Sequence, residues 1–200
     1  MINYFSTIEL TPIFIVNLIV AVCIFSIFLA VLLNFLDDKG SAHKPKKQKK
    51  SIVETGTMTL FFILVYFLLR FRVGSFAQSN WLSVGIGLMV MVFGTFFNIW
   101  GRKYLGDNWA NQIKIYDNHK LVTGGPYKFV RHPLYASLIW MFYASSFIYA
   151  NGAVFVATTV IFVPFMYYRA RQEEKLLTQQ FEEYKTYVKK TGMFFPKILK

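Results

Sequence analysis

Residues 134–168 read LYASLIWMFYASSFIYANGAVFVATTVIFVPFMYY, a stretch without a single charged side chain. As one helix it would be about 35 residues long, with the strong turn dipeptide Asn151-Gly152 at its middle. Two antiparallel helices, 134–150 and 152–168, meeting in a tight turn at that dipeptide are the better reading. Each is short for a bilayer crossing, which takes about 20 residues unless protein covers part of the helix. Lipid offers no partner to a backbone N–H or C=O, so the abundant Val, Ile and Phe do not argue for strands here.

Working outward, three further apolar runs occupy 12–36, 52–71 and 81–100. With 55% hydrophobic residues and 22 phenylalanines, a chain of 200 residues has more apolar surface than a soluble domain can bury. The expected fold is a single all-α integral membrane domain of five transmembrane helices, the last two forming the hairpin. Glu9 and no basic residue precedes the first run, which is too long for a cleaved signal and reads as a permanent span.

Charge sets the orientation. Of 22 Lys and Arg residues, six lie in 37–50, six in 101–131 and eight in 169–200, whereas the opposite side receives only Arg70 and Arg72. The positive-inside rule then places the N-terminus outside and the C-terminus in the cytosol, with cytosolic catalytic segments at about 101–133 and 169–200. A prokaryotic inner membrane is the expected location, or the endoplasmic reticulum in a eukaryote. The net charge of +12 does not point to nucleic acid, because it sits in loops between apolar runs and is not interleaved with stacking aromatics. The lysines of 44–50 read as a solvated loop attracted to anionic membrane lipids.

Gly87, Gly94 and Gly101 recur every seven residues and give the third helix one smooth stripe for a close neighbour. Gly85-Ile86-Gly87 resembles the start of a dinucleotide fingerprint, but no strand precedes it and Val90 stands at the third glycine position. Cys23 is the only cysteine, which excludes a disulfide within the chain. Neither His119 nor His132 has a cysteine or carboxylate at metal-ligand spacing, so no metal is expected.

The segment 101–133 is polar yet rich in aromatic and amide side chains, among them Trp109, Asn111, Gln112, Tyr116, His119 and Tyr127. Loops of this length in a compact domain are functional or disordered, and this composition opposes disorder. It leads into Arg131-His132-Pro133, where proline opens the fourth helix and its unpaired amides can receive a carboxylate. The fifth helix ends in Arg169 and Glu173, four residues apart on one face. They read either as an intrahelical ion pair or as lining a pocket. Because the hairpin turns at Asn151, Arg169–Glu173 must return beside His132 and Tyr135.

Leu105-Gly106, the stretch from His119 through Lys120, Leu121 and Val122 to Tyr127, Arg131-His132-Pro133-Leu134-Tyr135, and Glu173-Glu174 with Leu177 and Phe181 resemble the isoprenylcysteine carboxyl methyltransferase family of membrane enzymes. They resemble the phospholipid methyltransferases more loosely. The likeness covers roughly 84–196. Ser137 and Glu182 stand where the family often has glycine, and Tyr184 follows Phe181 one residue early. The resemblance implies transfer of a methyl group from S-adenosylmethionine to a lipophilic acceptor, most simply the carboxylate of a prenylated cysteine. It also implies cofactor contacts at Gln112, His119, Lys120, Leu121, Val122, Tyr127, His132, Pro133, Leu134, Tyr135 and Glu173, with Arg169 as the catalytic, substrate-orienting residue.

Those residue types suit such a ligand. Tyrosine faces can receive a cation or adenine, and a glutamate can pair with an ammonium or ribose hydroxyls. A substrate carboxylate, already ionised, needs positioning and dryness more than a base. The alternatives are a phospholipid or small-molecule N- or S-methyltransferase and a non-enzymatic lipid-binding protein on the same frame. Arg169 disfavours a cationic amine acceptor, and Glu173-Glu174 has the wrong charge for an NADPH-dependent reductase.

Overall fold

The computed structural model describes residues 12–36, 47–49, 55–75, 80–106, 113–115 and 121–197. In chain order the elements are α1 (Pro12–Leu36), β1 (Lys47–Lys49), α2 (Thr55–Arg70), α3 (Trp81–Leu105) and β2 (Ile113–Ile115). A 3-10 turn (Gly125–Lys128), α4 (Pro133–Ile148), α5 (Gly152–Ala157), a π-helical turn (Thr158–Phe162), α6 (Val163–Gln180) and α7 (Tyr184–Lys190) follow. Among the described residues three helices are long and apolar enough to cross a membrane: Pro12–Asn34, Trp81–Leu105 and the continuous rod Gly152–Gln180. Met58–Arg70 and Pro133–Ile148 are apolar but shorter. Outward-facing side chains such as Phe25, Phe28, Leu82 and Met89 are exposed, and lipid is the solvent that suits them.

α3 and α4 form the most extensive helix pair, and the glycine stripe explains why. A Cβ at Gly87 would stand 2.6 Å from Ile148 Cγ1, one at Gly94 2.8 Å from Met141 Cγ, and one at Gly101 3.1 Å from Leu134 Cδ2. The three positions therefore face α4 at three successive levels, where only hydrogen fits. Asn80 caps the start of α3, its Oδ1 accepting from the Leu82 and Ser83 amides at 2.7 and 3.1 Å. Below the α3–α4 pair, Phe61, Phe142 and Phe162 form an aromatic knot with centroids 4.7–4.9 Å apart.

The hairpin turns where its dipeptide indicates. Asn151 is buried, its Oδ1 accepts from the Val154 amide at 3.0 Å, and its Nδ2 donates to the Leu68 carbonyl at 3.3 Å. Gly152 N donates to Gly74 O at 3.0 Å, which ties the hairpin turn to the α2–α3 connection. Gly74 has φ +69°, and a Cβ there would meet Ala153 Cβ at 2.6 Å.

The helix after Asn151 runs on past the apolar stretch, through Arg169 and Glu173, to Gln180. Arg, Gln, Glu and Leu are good helix formers, so the polar half extends the rod until Phe181 turns extended. Within the rod, Pro164 has no N–H for the Val160 carbonyl, and the preceding turn widens so that Val163 N donates to Thr158 O. The extra residue rotates everything beyond it by roughly 100°. The fold is all-α as expected, and among the described residues a short ribbon is added to it. β1 pairs antiparallel with β2 in the register Lys47↔Ile115, Gln48↔Lys114, Lys49↔Ile113. Ile113-Lys114-Ile115 alternates with a period of two, a pattern that suits a strand and not a helix.

Candidate functional site

α4 starts with Pro133 at its first position and His132 as its cap residue, yet the imidazole makes no capping bond. It turns toward α6 and lies between two carboxylates. His132 Nδ1 is 3.4 Å from Glu173 Oε2, and His132 Nε2 is 3.4 Å from Glu174 Oε1. Only an imidazolium donates from both ring nitrogens. Burial acts to lower the pKa of His132, but the bonds and charges of Glu173 and Glu174 outweigh it, and the net effect is a rise above the ordinary 6.5. The Tyr135 ring stacks on His132 at 5.6 Å and 9°.

Arg169, one turn before Glu173, completes the constellation. Its Nε donates to the Tyr135 hydroxyl at 2.7 Å and to Glu173 Oε1 at 3.3 Å, and its guanidinium carbon lies 5.9 Å from the Tyr135 ring centre. The Tyr135 hydroxyl in turn donates to Glu173 Oε1. Arg169 thus pairs with Glu173 along α6 while both side chains bond Tyr135 of α4.

A strap closes the other flank. Arg131 N donates to Gly192 O at 2.9 Å and His132 N to Met193 O at 3.2 Å, which lays the chain after α7 along the entry to α4. The Arg131 guanidinium bonds Glu174 Oε1 at 2.7 Å, Val188 O at 3.4 Å and Thr191 O. Tyr187 donates its hydroxyl to the Tyr127 carbonyl at 2.6 Å. Tyr127 itself is buried. Desolvation pushes its hydroxyl pKa well up, the Glu173 and Tyr187 charges add to the rise, and Arg102 opposes it. Burial also moves Tyr187, to about 12. Among the described residues, Gln172 Oε1 and the Tyr184 hydroxyl are buried without a hydrogen-bond partner. Such orphaned atoms are uncommon in folded chains.

The structure brings together Tyr127, His132, Pro133, Leu134, Tyr135, Arg169 and Glu173 from the sequence reading. Leu121 and Val122 are half-buried and lead into the turn that carries Tyr127. Gln112, His119 and Lys120 lie outside the described residues. Sequence reasoning passed over Glu174, which holds Arg131 and His132, and the pair Asn98 and Arg102. Asn98 is fully buried, with Nδ2 bonding Ser137 Oγ at 2.7 Å and Leu134 O at 3.2 Å. An asparagine four residues before an arginine inside an apolar run was the available signal. Among the described residues no group of three or more His, Cys, Asp or Glu side chains could hold a metal ion.

With this geometry in place, comparison with known proteins is informative. The profile of the isoprenylcysteine carboxyl methyltransferase family matches residues 86–179. A protein-S-isoprenylcysteine O-methyltransferase of Xenopus laevis is 34% identical over 128 residues, 62% of this chain and 44% of that protein. A methanethiol S-methyltransferase of a Pseudomonas species is 30% identical over 118 residues, 58% of this chain and 44% of that protein. The matched part of the chain thus spans less than half the length of each of these two relatives. A solved eukaryotic intramembrane Ras methyltransferase, an isoprenylcysteine carboxyl methyltransferase, superposes with a TM-score of 0.58 at 24% identity. That match covers 74% of this chain and 55% of the solved one, and it establishes the shared fold. The apolar helices and this fold together mark an integral membrane protein.

Proposed function

We propose, from the family profile over 86–179 and the cluster at the entry to α4, that the chain is a membrane methyltransferase of the isoprenylcysteine carboxyl type. It takes S-adenosylmethionine from the cytosolic side and methylates the carboxylate of a prenylated cysteine or similar lipophilic acid. The observation that carries this reading is the meeting of His132, Tyr135, Arg169 and Glu173, which brings together residues about 40 apart in sequence through the hairpin.

The residues present fit such a cofactor. Glu173 supplies a carboxylate for an ammonium or ribose hydroxyls, Tyr127 and Tyr135 supply aromatic surface, and the orphaned Gln172 oxygen and Tyr184 hydroxyl are polar groups still wanting partners. Pro133 opens α4, and the Leu134 and Tyr135 amides that follow it, left uncapped by the His132 side chain, suit a carboxylate. When bound, the cofactor supplies an electrophilic methyl on a sulfonium. The chain's task is then to orient and to exclude water. Arg169, held by Tyr135 and Glu173 and almost wholly buried, is placed to steer the acceptor carboxylate. His132, set between two carboxylates with both ring nitrogens engaged, fixes Glu173 and is not available as a base. The acceptor is already an anion and needs none. Five crossings would put this cluster at the cytosolic boundary, with the acceptor's tail entering between helices from the bilayer.

The match to a methanethiol S-methyltransferase favours a second reading, a small thiol acceptor in the same site. Calorimetric titration of the detergent-solubilised chain with S-adenosylmethionine tests the shared core, and no binding would refute it. Methyl transfer to a prenylated cysteine acid, set against a small alkyl thiol and phosphatidylethanolamine, then decides the acceptor.

A further inference from the structure

Arg102, near the end of α3, is the largest charge at the site that nothing above uses. Its Nε donates to Asn98 Oδ1 at 2.9 Å and its Nη1 to Asn34 Oδ1 of α1 at 3.3 Å. Both acceptors are neutral amides. Asn98 is itself locked to the first turn of α4 through Leu134 O and Ser137 Oγ, and the neighbouring Gly101 packs on Leu134 and Pro133. The guanidinium is therefore oriented from two sides and held beside the entry to α4. The 3-10 turn that carries Tyr127 also packs against α3. Among the described residues no carboxylate forms an ion pair with it, and the Nη2 amino group has no hydrogen-bond partner.

This differs from every other arginine in the cluster. Arg131 has Glu174 and Arg169 has Glu173. A half-buried cation fixed by neutral amides, with one amino group left unbonded, is the arrangement that an incoming anion completes. The same desolvation that makes an unpaired charge costly makes a ligand carboxylate there favourable. We propose that Arg102 is a carboxylate-binding residue of the site, presenting Nη2 to the carboxylate of a bound ligand. The inference rests on the function proposed above and divides the labour within it, because the Nε edge of Arg169 is already spent on Tyr135 and Glu173. Two ligands of that reaction carry a carboxylate: the amino-acid end of the methyl donor and the prenylated acceptor.

The test uses the full chain in lipid nanodiscs and two ligand pairs that differ only in the carboxylate. These are S-adenosylmethionine against its decarboxylated form, and a prenylated cysteine acid against its carboxamide. Arg102→Gln is expected to weaken one of the two acids by about tenfold or more, as for loss of one charge-assisted hydrogen bond. It should leave that ligand's carboxylate-free partner within about twofold, and Arg102→Lys should recover part of the loss. The pair that responds identifies which ligand Arg102 holds. Equal losses with and without the carboxylate, or no loss for either acid, would overturn the proposal while leaving the methyltransferase reading intact. Should Arg102→Gln fail to fold, Arg102→Lys alone decides: a shorter cation that leaves the ratio of acid to carboxylate-free affinity unchanged in both pairs overturns it. Absence of S-adenosylmethionine binding in the unaltered protein would sink the underlying reading and this inference together.

Discussion

Adjacent glutamates on α6 do different work, and the difference is measurable. Glu173 faces Tyr135, His132 and Arg169, whereas Glu174 anchors Arg131 and, through it, the carbonyls at the end of α7. Glu173→Gln is expected to weaken S-adenosylmethionine binding by about tenfold to a hundredfold, the worth of one charge-assisted contact, and to lower the melting temperature as well, because it strands the buried Arg169. Glu174→Gln strands a buried guanidinium and is expected to cost about 3 kcal/mol of stability, read by thermal unfolding in detergent. Arg169→Ala should lower turnover more than cofactor affinity; equal losses would move Arg169 into the cofactor's own contacts. His132 gives the pH signature. Its pKa is raised on folding above 6.5, so its stabilising contribution is complete below about 6.5 and is lost as pH rises through the raised value. Unfolding midpoints from pH 6 to 9 should fall in the native chain and fall less in His132→Gln. Parallel curves would show that folding does not raise the pKa of His132.

Among elements, the α3–α4 contact was the most legible part of the fold. Gly87, Gly94 and Gly101 are spaced by seven, so a single helix face carries them, and that face meets Ile148, Met141 and Leu134. Gly87→Leu is expected to destabilise the fold by about 1–3 kcal/mol through overpacking against Ile148, whereas Gly85→Leu, with nothing within 4 Å of its Cβ position, should be near neutral. The turn at Asn151 was legible for a comparable reason, since its chemistry is local. The π-helical turn was not, although Pro164 marked its place. A proline inside a helix can be accommodated by a kink, a break or one widened turn, and only packing of Phe162 into the aromatic knot selects among them. Nor could residue types show that Arg102 reaches Asn34, because α1 is apolar on all sides and carries no pattern that fixes which face meets α3.

At the scale of the whole molecule, two contacts far apart in sequence bear on topology independently of charge. The β1–β2 ribbon joins the α1–α2 linker to the segment after α3, which also lies against α6 near the candidate site. The bond from Gly152 to Gly74 joins the α2–α3 connection to the hairpin turn. The 16 residues of α2 separate these two tethers by about 24 Å, close to the thickness of a hydrocarbon core. One end of the bundle therefore gathers the ribbon with the cluster around His132, and the other gathers Val73, Gly74 and Asn151. Short α2 and α4 can still cross if the long helices tilt or the bilayer thins locally, at a modest cost per ångström. A three-crossing alternative, with α2 and α4 lying in one leaflet, would instead leave Val73 on the same side as the ribbon. In a Cys23→Ser background, Val73→Cys should react with a membrane-impermeant maleimide added outside intact cells. Lys189→Cys should react only after permeabilisation. Protection of both, or labelling of both, would reject the five-crossing arrangement and with it the cytosolic placement of the site.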